Sequence, residues 1–293
     1  MTNTVQIRID VDSCHGLAHG VPFYLRLLKR YGFGATFFVP MGPNKLQQAV
    51  WRRLRQPLFW KQLWYFKPWS ALSAGRRCEF GPEIGAGNPD MLKRIEDECC
   101  EVALHGYDHA MISNRAYSMT ESEYACQIDK SLDLYVKTLG HLPQGTASPA
   151  WRCSEMILRV QDRYGFAYAS DLCGKGPCFV ESNGYVSHTI QIPTNVDTVF
   201  ALVMKMGGDR NAALGAMKSQ IQNEENPVLI LHTEYDFLHF NGQLESLFSW
   251  LADRGYGAES FTDLNRCIER SDIPQKKLSY TLYEGAYGQV AVV

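Results

Sequence analysis

A chain of 293 residues, 45% hydrophobic and 20% charged, has the make-up of a folded globular protein, not a disordered or fibrous one. A formal charge of -2 argues against a nucleic-acid binder, and no uninterrupted apolar stretch of about 18 residues offers a membrane-spanning helix. Nine cysteines, with Cys99 and Cys100 adjacent and no Cys-x-x-Cys pair, argue against a disulfide framework and for reduced thiols in a cytosolic setting. The N-terminus enters a strand without a charged and apolar leader, so no signal peptide is expected.

Strand-like and helix-like stretches then alternate. Residues 6–9 read as the first strand, which runs into Asp10-Val11-Asp12 with a glycine at Gly16. A helix is expected over residues 21–31, closed by Gly32, with Leu25 and Leu28 on its apolar stripe. Residues 35–39, almost wholly apolar, read as a strand covered on both faces and stopped by Pro40.

Residues 44–77 break the rhythm. Four of the six tryptophans lie here (Trp51, Trp60, Trp64 and Trp69), with eight Lys or Arg and no Asp or Glu. Pro57 and Pro68 divide the region into short helical pieces.

Alternation resumes with Asn88-Pro89, read as the N-cap and first turn of a helix reaching about Cys99. A strand over 102–104 ends on His105. Thr120 and Glu123 form a capping box that opens a helix with the stripe Tyr124, Ile128, Leu132, Tyr135 and Leu139, ended by Gly140. A short strand precedes Pro149 and a helix covers 154–164. Tyr168-Ala169 leads to Ser170-Asp171, and residues 189–192 form a strand stopped by Pro193. A strand over 228–231 ends on His232. Helices are expected at about 244–254 and 262–270, and no pattern is visible after Pro274.

Many βα units without an internal repeat or a low-complexity linker suggest one parallel barrel. The expectation is a single catalytic domain over 1–275, an insertion at about 44–77 and a tail over 276–293. In such a barrel function belongs at the C-terminal ends of the strands. Asp10, Asp12, His105, Asp171 and His232 fall at or just past such ends.

Two carboxylates at one buried strand end are costly without a cation or a donor opposite them. His105 and His109 form a His-x-x-x-His directly after a strand. If that stretch turns helically, positions i and i+4 share a face and both imidazoles reach one ion. Two neutral imidazoles and one carboxylate then make a three-ligand site with a position open for water. A buried Asp–His hydrogen-bond network without a metal is the other reading of the same residues.

Ile9-Asp10-Val11-Asp12, His105 to His109 and Ile230-Leu231-His232, in this order, resemble the polysaccharide deacetylases of the NodB-homology superfamily. The resemblance implies a distorted (β/α) barrel and one divalent metal ion. It implies that Asp10 is the catalytic base, that Asp12, His105 and His109 are the metal ligands, and that His232 is the general acid. Such carboxylate–imidazole sites accept Zn, Mn, Co or Ni.

Gly20-Val21-Pro22, Met41-Gly42-Pro43-Asn44, Trp51-Arg52-Arg53-Leu54, Trp151-Arg152, Ser170-Asp171 and Glu234 narrow the likeness. They are similar to the deformylases acting on undecaprenyl-phosphate 4-deoxy-4-formamido-L-arabinose in lipid A modification. Many family members carry Arg-x-Pro in the third motif, where the Arg orients the base. Here the triplet is Ala147-Ser148-Pro149, and Arg152 is the candidate substitute.

The function expected is removal of a formyl or acetyl group from the amide nitrogen of a lipid-linked amino sugar. Trp151, Arg152, Asp171 and Glu234 are expected to bind substrate or to orient, with Asp171 turned toward His232 or Arg152. Trp60, Trp64, Trp69, Arg52 and Arg53 are candidates to face an anionic membrane, since aromatic rings settle at the lipid boundary and basic side chains meet its headgroups. A packed core with a solvated basic rim is the plainer reading of that insertion. The expected location is cytoplasmic, peripheral on the inner membrane, with no nucleic acid and no protein partner inferred. A deacetylase of a soluble amino sugar or polysaccharide and a non-catalytic sugar- or lipid-binding barrel are the alternatives.

Overall fold

The computed structural model describes residues 3–45, 56–66 and 83–293. Its sheet is built around β1 (Thr4–Asp10). Val5, Ile7 and Ile9 alternate along it with Gln6, Arg8 and Asp10, so the two sets face opposite sides although all six are buried. The apolar set packs with the surrounding helices in the main core. The polar set faces inward, which is how a charged pair enters an otherwise apolar strand.

β2 (Thr36–Val39), β3 (Glu101–Leu104), β4 (Gly145–Thr146) and β5 (Tyr168–Ala169) follow in order, each parallel to the one before. The hairpin β6 (Phe179–Ser182) and β7 (Tyr185–Val186) stands outside this sheet, and β8 (Ile190–Gln191) rejoins it beside β5. β9 (Val228–His232) pairs with β1 along residues 6–10, while β10 (Gly257–Glu259) pairs with residues 4–6. The order β9-β1-β2-β3-β4-β5-β8 curls the sheet into a barrel with one loose seam. At the seam, between β8 and β9, Val228 donates its N–H to Asn195 Oδ1 at 2.7 Å, and its carbonyl accepts from the N–H groups of Asn195 and Val196. A side chain and two loop amides thus stand where a ladder would close a regular barrel, which is the distortion of this (β/α) fold.

The helices form where their sequence signals lie. Val21–Tyr31 ends at Gly32 in the left-handed conformation, and Glu121–Leu139 opens on the Thr120–Glu123 capping box. Tyr124, Ile128 and Tyr135 of its stripe are buried, with Leu132 and Leu139 half-buried at the margin. Ser154 caps Glu155–Tyr164. Asn88 departs from expectation: its side chain donates to the Ile84 carbonyl at 2.8 Å and does not cap Pro89–Asp97. The helix expected over 262–270 is shorter, Phe261–Cys267: Ser260 caps its start, and it stops where Ile268 turns to extended backbone.

The residues after Pro274, without visible pattern, form strands. β11 (Gln275–Lys277) pairs with β6, and β12 (Ser279–Leu282) pairs with β13 (Gln289–Val292). β12 is exposed along its whole length, so no alternation marks it. Val290 and Ala291 are fully buried, and Val290 packs with Trp151 and Ile230 at the site end of the barrel. Within the insertion, the helix Pro57–Phe66 is described, whereas Trp51, Arg52, Arg53 and Trp69 lie outside the described residues.

Candidate active site

β1, β3 and β9 deliver the side chains expected at the site. Asp10 ends β1, His232 ends β9, and the two are cross-strand partners that line one pocket. The expected acid therefore stands beside the expected base on the neighbouring strand, not across the barrel. His105 follows β3, and its Nδ1 lies 2.8 Å from the Ala147 carbonyl, so that nitrogen carries the proton and donates. Its Nε2 is left facing Asp10 Oδ2 at 3.5 Å and Asp12 Oδ1 at 3.7 Å. His109 Nε2 lies 3.2 Å from the same Asp12 oxygen. Burial lowers the His105 pKa to about 4, so the ring is neutral at pH 7.

His105 and His109 do not share a helical turn. Gly106 adopts φ 76°, Asp108 is extended, and only His109 begins the helix His109–Arg115. A Cβ at Gly106 would lie 2.3 Å from Ile112 Cδ1, so the tight reversal requires glycine. Asp108 accepts from Met111 N–H at the helix start and pairs with Lys45 at the root of the insertion. The two rings converge through this braced turn, with centroids 5.1 Å apart.

Asp12, His105 and His109 hold ligand atoms within 4.8 Å of one another. Asp12 Oδ1 is buried without a hydrogen-bond partner, an arrangement that a cation satisfies. Burial would raise the Asp12 pKa, but His109, with His232 and His105, reverses this and holds it far below the usual range. An ionised carboxylate and two imidazoles fit a divalent cation with open coordination positions.

The orienting partner of Asp10 is Arg8. Its Nε and Nη2 each donate to one Asp10 oxygen at 2.7 Å, and its Nη1 donates to the Ser170 carbonyl beyond β5. Both side chains are almost wholly buried. Burial pushes Asp10 upward, but the Arg8 guanidinium, helped by His105 and His232, outweighs it and holds the carboxyl below its ordinary range. Arg152 does not take this role, because it bonds other groups. The residues alone offered only a charge within an alternating strand as a signal for Arg8.

His232 has a partner of its own. Asp236, four residues on, accepts the His232 N–H at 2.6 Å and sits 3.9 Å from its Nδ1. Burial would lower the His232 pKa, but Asp236, aided by Asp12 and Asp10, raises it to about 10. Glu234 lies behind the site and not on the pocket wall. Its Oε1 accepts from Asp12 N–H at 3.1 Å and Ser13 Oγ at 2.7 Å. A Cβ at Gly16 would lie 1.9 Å from that oxygen, so this glycine lets the loop after Asp12 close on Glu234. Burial, reinforced by the Asp12 charge, raises Glu234 to about 8. Asp171 orients neither His232 nor Arg152. It accepts from Ser148 N–H and from the Gln161 and Gln191 amides, fixing the loop that carries Trp151.

That loop is strained. Ala150 and Trp151 both adopt positive φ, 57° and 52°, and both line the pocket. Trp151 donates Nε1–H to Thr194 Oγ1 at 2.9 Å. Arg152 Nε donates to the Ser113 carbonyl at 2.9 Å, and its terminal nitrogens donate to the Tyr287 and Gln289 carbonyls. Gly285, Ala286 and Tyr287, from the turn between β12 and β13, complete the wall. Of the membrane-facing candidates, Trp60 is 59% exposed and Trp64 81%. Lys61 on the same helix pairs with Glu284, the residue before the pocket-lining Gly285, at 3.0 Å.

The sequence profile of the family described as polysaccharide deacetylase matches residues 6–169. A relative from Shewanella sediminis (strain HAW-EB3) is 30% identical over 237 residues, covering 79% of this chain and 76% of its own length. It bears the name of a 4-deoxy-4-formamido-L-arabinose-phosphoundecaprenol deformylase. A crystal structure from Mycobacterium smegmatis, named for the polysaccharide deacetylases, is similar with a TM-score of 0.65 at 15% identity, over 96% of this chain and 95% of that one. A CE4-family pseudoenzyme from Bacillus anthracis is similar with a TM-score of 0.54 at 14% identity, over 94% of this chain and 67% of its own. Both structural likenesses speak for the fold alone.

Arg8→Met would leave Asp10 buried without its counter-charge, a loss of about 3–5 kcal/mol at pH 7. Because the native Asp10 pKa is depressed, the pair stabilises above the unfolded carboxyl pKa of about 3.9 and fades as pH falls through the folded value. Urea denaturation of metal-free protein should thus show a large deficit for Arg8→Met at pH 7 that narrows below about pH 4. A deficit independent of pH would mean that packing, not charge, is what Arg8 supplies.

Proposed function

Since the chain belongs to the polysaccharide deacetylase family, we propose that it removes the formyl group from a lipid-linked 4-formamido-L-arabinose or a close relative. The observation that carries this is the pairing of Asp10 and His232 on adjacent strands, each with its own counter-ion, beside the Asp12–His105–His109 group. The name of the Shewanella relative supports the formyl group and the lipid-linked sugar.

Asp12, His105 and His109 would hold a divalent ion (Zn, Mn, Co or Ni), which would supply Lewis acidity for the water and the amide carbonyl. Asp10, kept ionised by Arg8, accepts the proton of the attacking water. A backbone N–H of the strained Ala150–Trp151 turn steadies the developing oxyanion. His232, kept protonated by Asp236, gives its proton to the departing nitrogen, which leaves poorly as an amide anion. The base and acid thus hold opposite protonation states at the same pH.

A sugar-binding barrel without turnover is the competing reading, since the B. anthracis relative is a pseudoenzyme. Binding alone requires neither Arg8 behind Asp10 nor Asp236 behind His232, and this favours catalysis.

The insertion fits a substrate held in a membrane. Trp60 and Trp64 stand exposed on a helix whose Lys61 pairs with Glu284, next in the chain to the pocket-lining Gly285, and no helix among the described residues is long and apolar enough to cross a bilayer. The protein is read as docking on the cytoplasmic face of the inner membrane, with the basic residues of the insertion against anionic headgroups.

Formate should be released from the formamido-sugar lipid by metal-loaded protein, and Asp12→Ala should lose both bound metal and turnover. Acetate release from an acetamido analogue at an equal rate would set aside the formyl preference, and an active metal-free Asp12→Ala would remove the scheme. Asp236→Asn withdraws the charge that favours protonated His232, so the alkaline limb of kcat/KM should move at least one unit to lower pH. An unmoved limb would assign it to another group. In flotation with anionic vesicles, Trp60→Ala/Trp64→Ala should bind at least threefold more weakly than the native chain, and equal binding would defeat the docking role of this helix.

A further inference from the structure

We infer that Arg152 is the anion-binding arm of this pocket, taking a phosphodiester oxygen of the substrate next to the sugar whose amide is cut. This rests on the lipid-linked reading above and adds to it the part of the substrate that Arg152 holds.

The pocket's other charges have partners. Asp10 is bound by Arg8, His232 sits against Asp236, and Asp12 faces His109. Arg152 lines the same pocket and is only 9% exposed, yet it makes no ion pair with an acid among the described residues. It donates to the neutral carbonyls of Ser113, Tyr287 and Gln289 and has the neutral Tyr117 hydroxyl as a further partner. Its Cζ stands 5.4 Å above the Tyr117 ring. A guanidinium has five N–H groups. Three serve the carbonyls and one serves the Tyr117 hydroxyl, which leaves one N–H for a ligand oxygen.

A buried cation without a counter-charge is costly unless an anion completes it. A phosphodiester carries one negative charge, and one of its two equivalent oxygens can accept the remaining guanidinium N–H. Three carbonyls from two separate chain segments hold Arg152 in place, so the group is pre-set before substrate arrives. Trp151, Phe200, Tyr235 and Ala286 supply apolar and aromatic wall around it. That wall suits a sugar face and the first carbons of a lipid better than it suits free inorganic phosphate.

The test compares two formamido sugars, one carrying a short alkyl phosphodiester at the anomeric oxygen and one carrying a neutral methyl group there. Native protein should favour the phosphodiester in kcat/KM, and Arg152→Gln should shrink that preference at least tenfold. Arg152→Lys, which keeps the charge but not the fork, should retain part of it. Equal losses on both sugars would reduce Arg152 to a brace for the wall and overturn the inference. Should native protein cleave neither sugar, the deformylase reading falls, and binding to metal-free protein then decides the role of Arg152. Diethyl phosphate should bind saturably and shift the Arg152 Nε–H resonance, whereas neutral triethyl phosphate should not. An unmoved resonance, or equal shifts with both esters, would overturn it. This measurement also stands in if Arg152→Gln does not fold.

Discussion

Two carboxylates at the end of one buried strand are the constraint that the rest of the molecule answers. An ionised carboxylate in a protein interior costs several kcal/mol until charge and hydrogen bonds offset it. Asp10 receives both from Arg8, whose fork covers each of its oxygens. Arg8 also reaches the Ser170 carbonyl and lies 4.9 Å from the Phe38 ring, so one side chain ties the end of β1 to β2 and to the exit of β5. Asp12 is treated differently. Glu234 and the loop hold its backbone, while its Oδ1 is left without a hydrogen bond. The saturated carboxylate suits a base and the unsaturated one suits a ligand, although they are two residues apart.

Much of this could be read in the residues alone, because the signals were local. Gly32 and Gly140 closed their helices, Thr120 and Glu123 formed their capping box, and the apolar runs became the central strands. The Asp10, Asp12, His105, His109 and His232 set converges because all sit at strand exits of a parallel sheet. What escaped was non-local or weakly patterned. Arg8 pairs with Asp10 through period-two geometry, yet nothing in the residues alone says that this face is the barrel interior. Arg152 looked like the substitute for the missing arginine because it follows the same motif, but the strained turn at Ala150 and Trp151 sends its side chain to the Tyr287 and Gln289 carbonyls. Those carbonyls belong to a C-terminal hairpin whose exposed first strand left no alternation to detect.

The supporting groups follow one rule: each comes from within four residues of the residue it steadies, or from beside a neighbouring strand. Arg8 is two residues before Asp10 on β1, Asp236 is four residues after His232, and the Ala147 carbonyl beyond β4 fixes the His105 ring beyond β3. Short structural paths leave little room for drift, and that precision matters when reacting atoms must be held within about 0.5 Å. A shared fold cannot supply it, as the likeness to a pseudoenzyme illustrates.

Two arginines at one pocket make the same point from the opposite side. Arg8 and Arg152 are both buried, and both send N–H groups to backbone carbonyls. Arg8 also meets a carboxylate, so the pair is close to neutral and its field is spent on holding Asp10 ionised. Arg152 meets carbonyl dipoles and the neutral Tyr117 side chain, which hold it in place without cancelling its charge. In a cleft walled by low-dielectric side chains, an uncancelled charge acts over a longer range than it would in water. The partner set alone therefore gives one guanidinium the task of orienting a base and leaves the other to attract an anion.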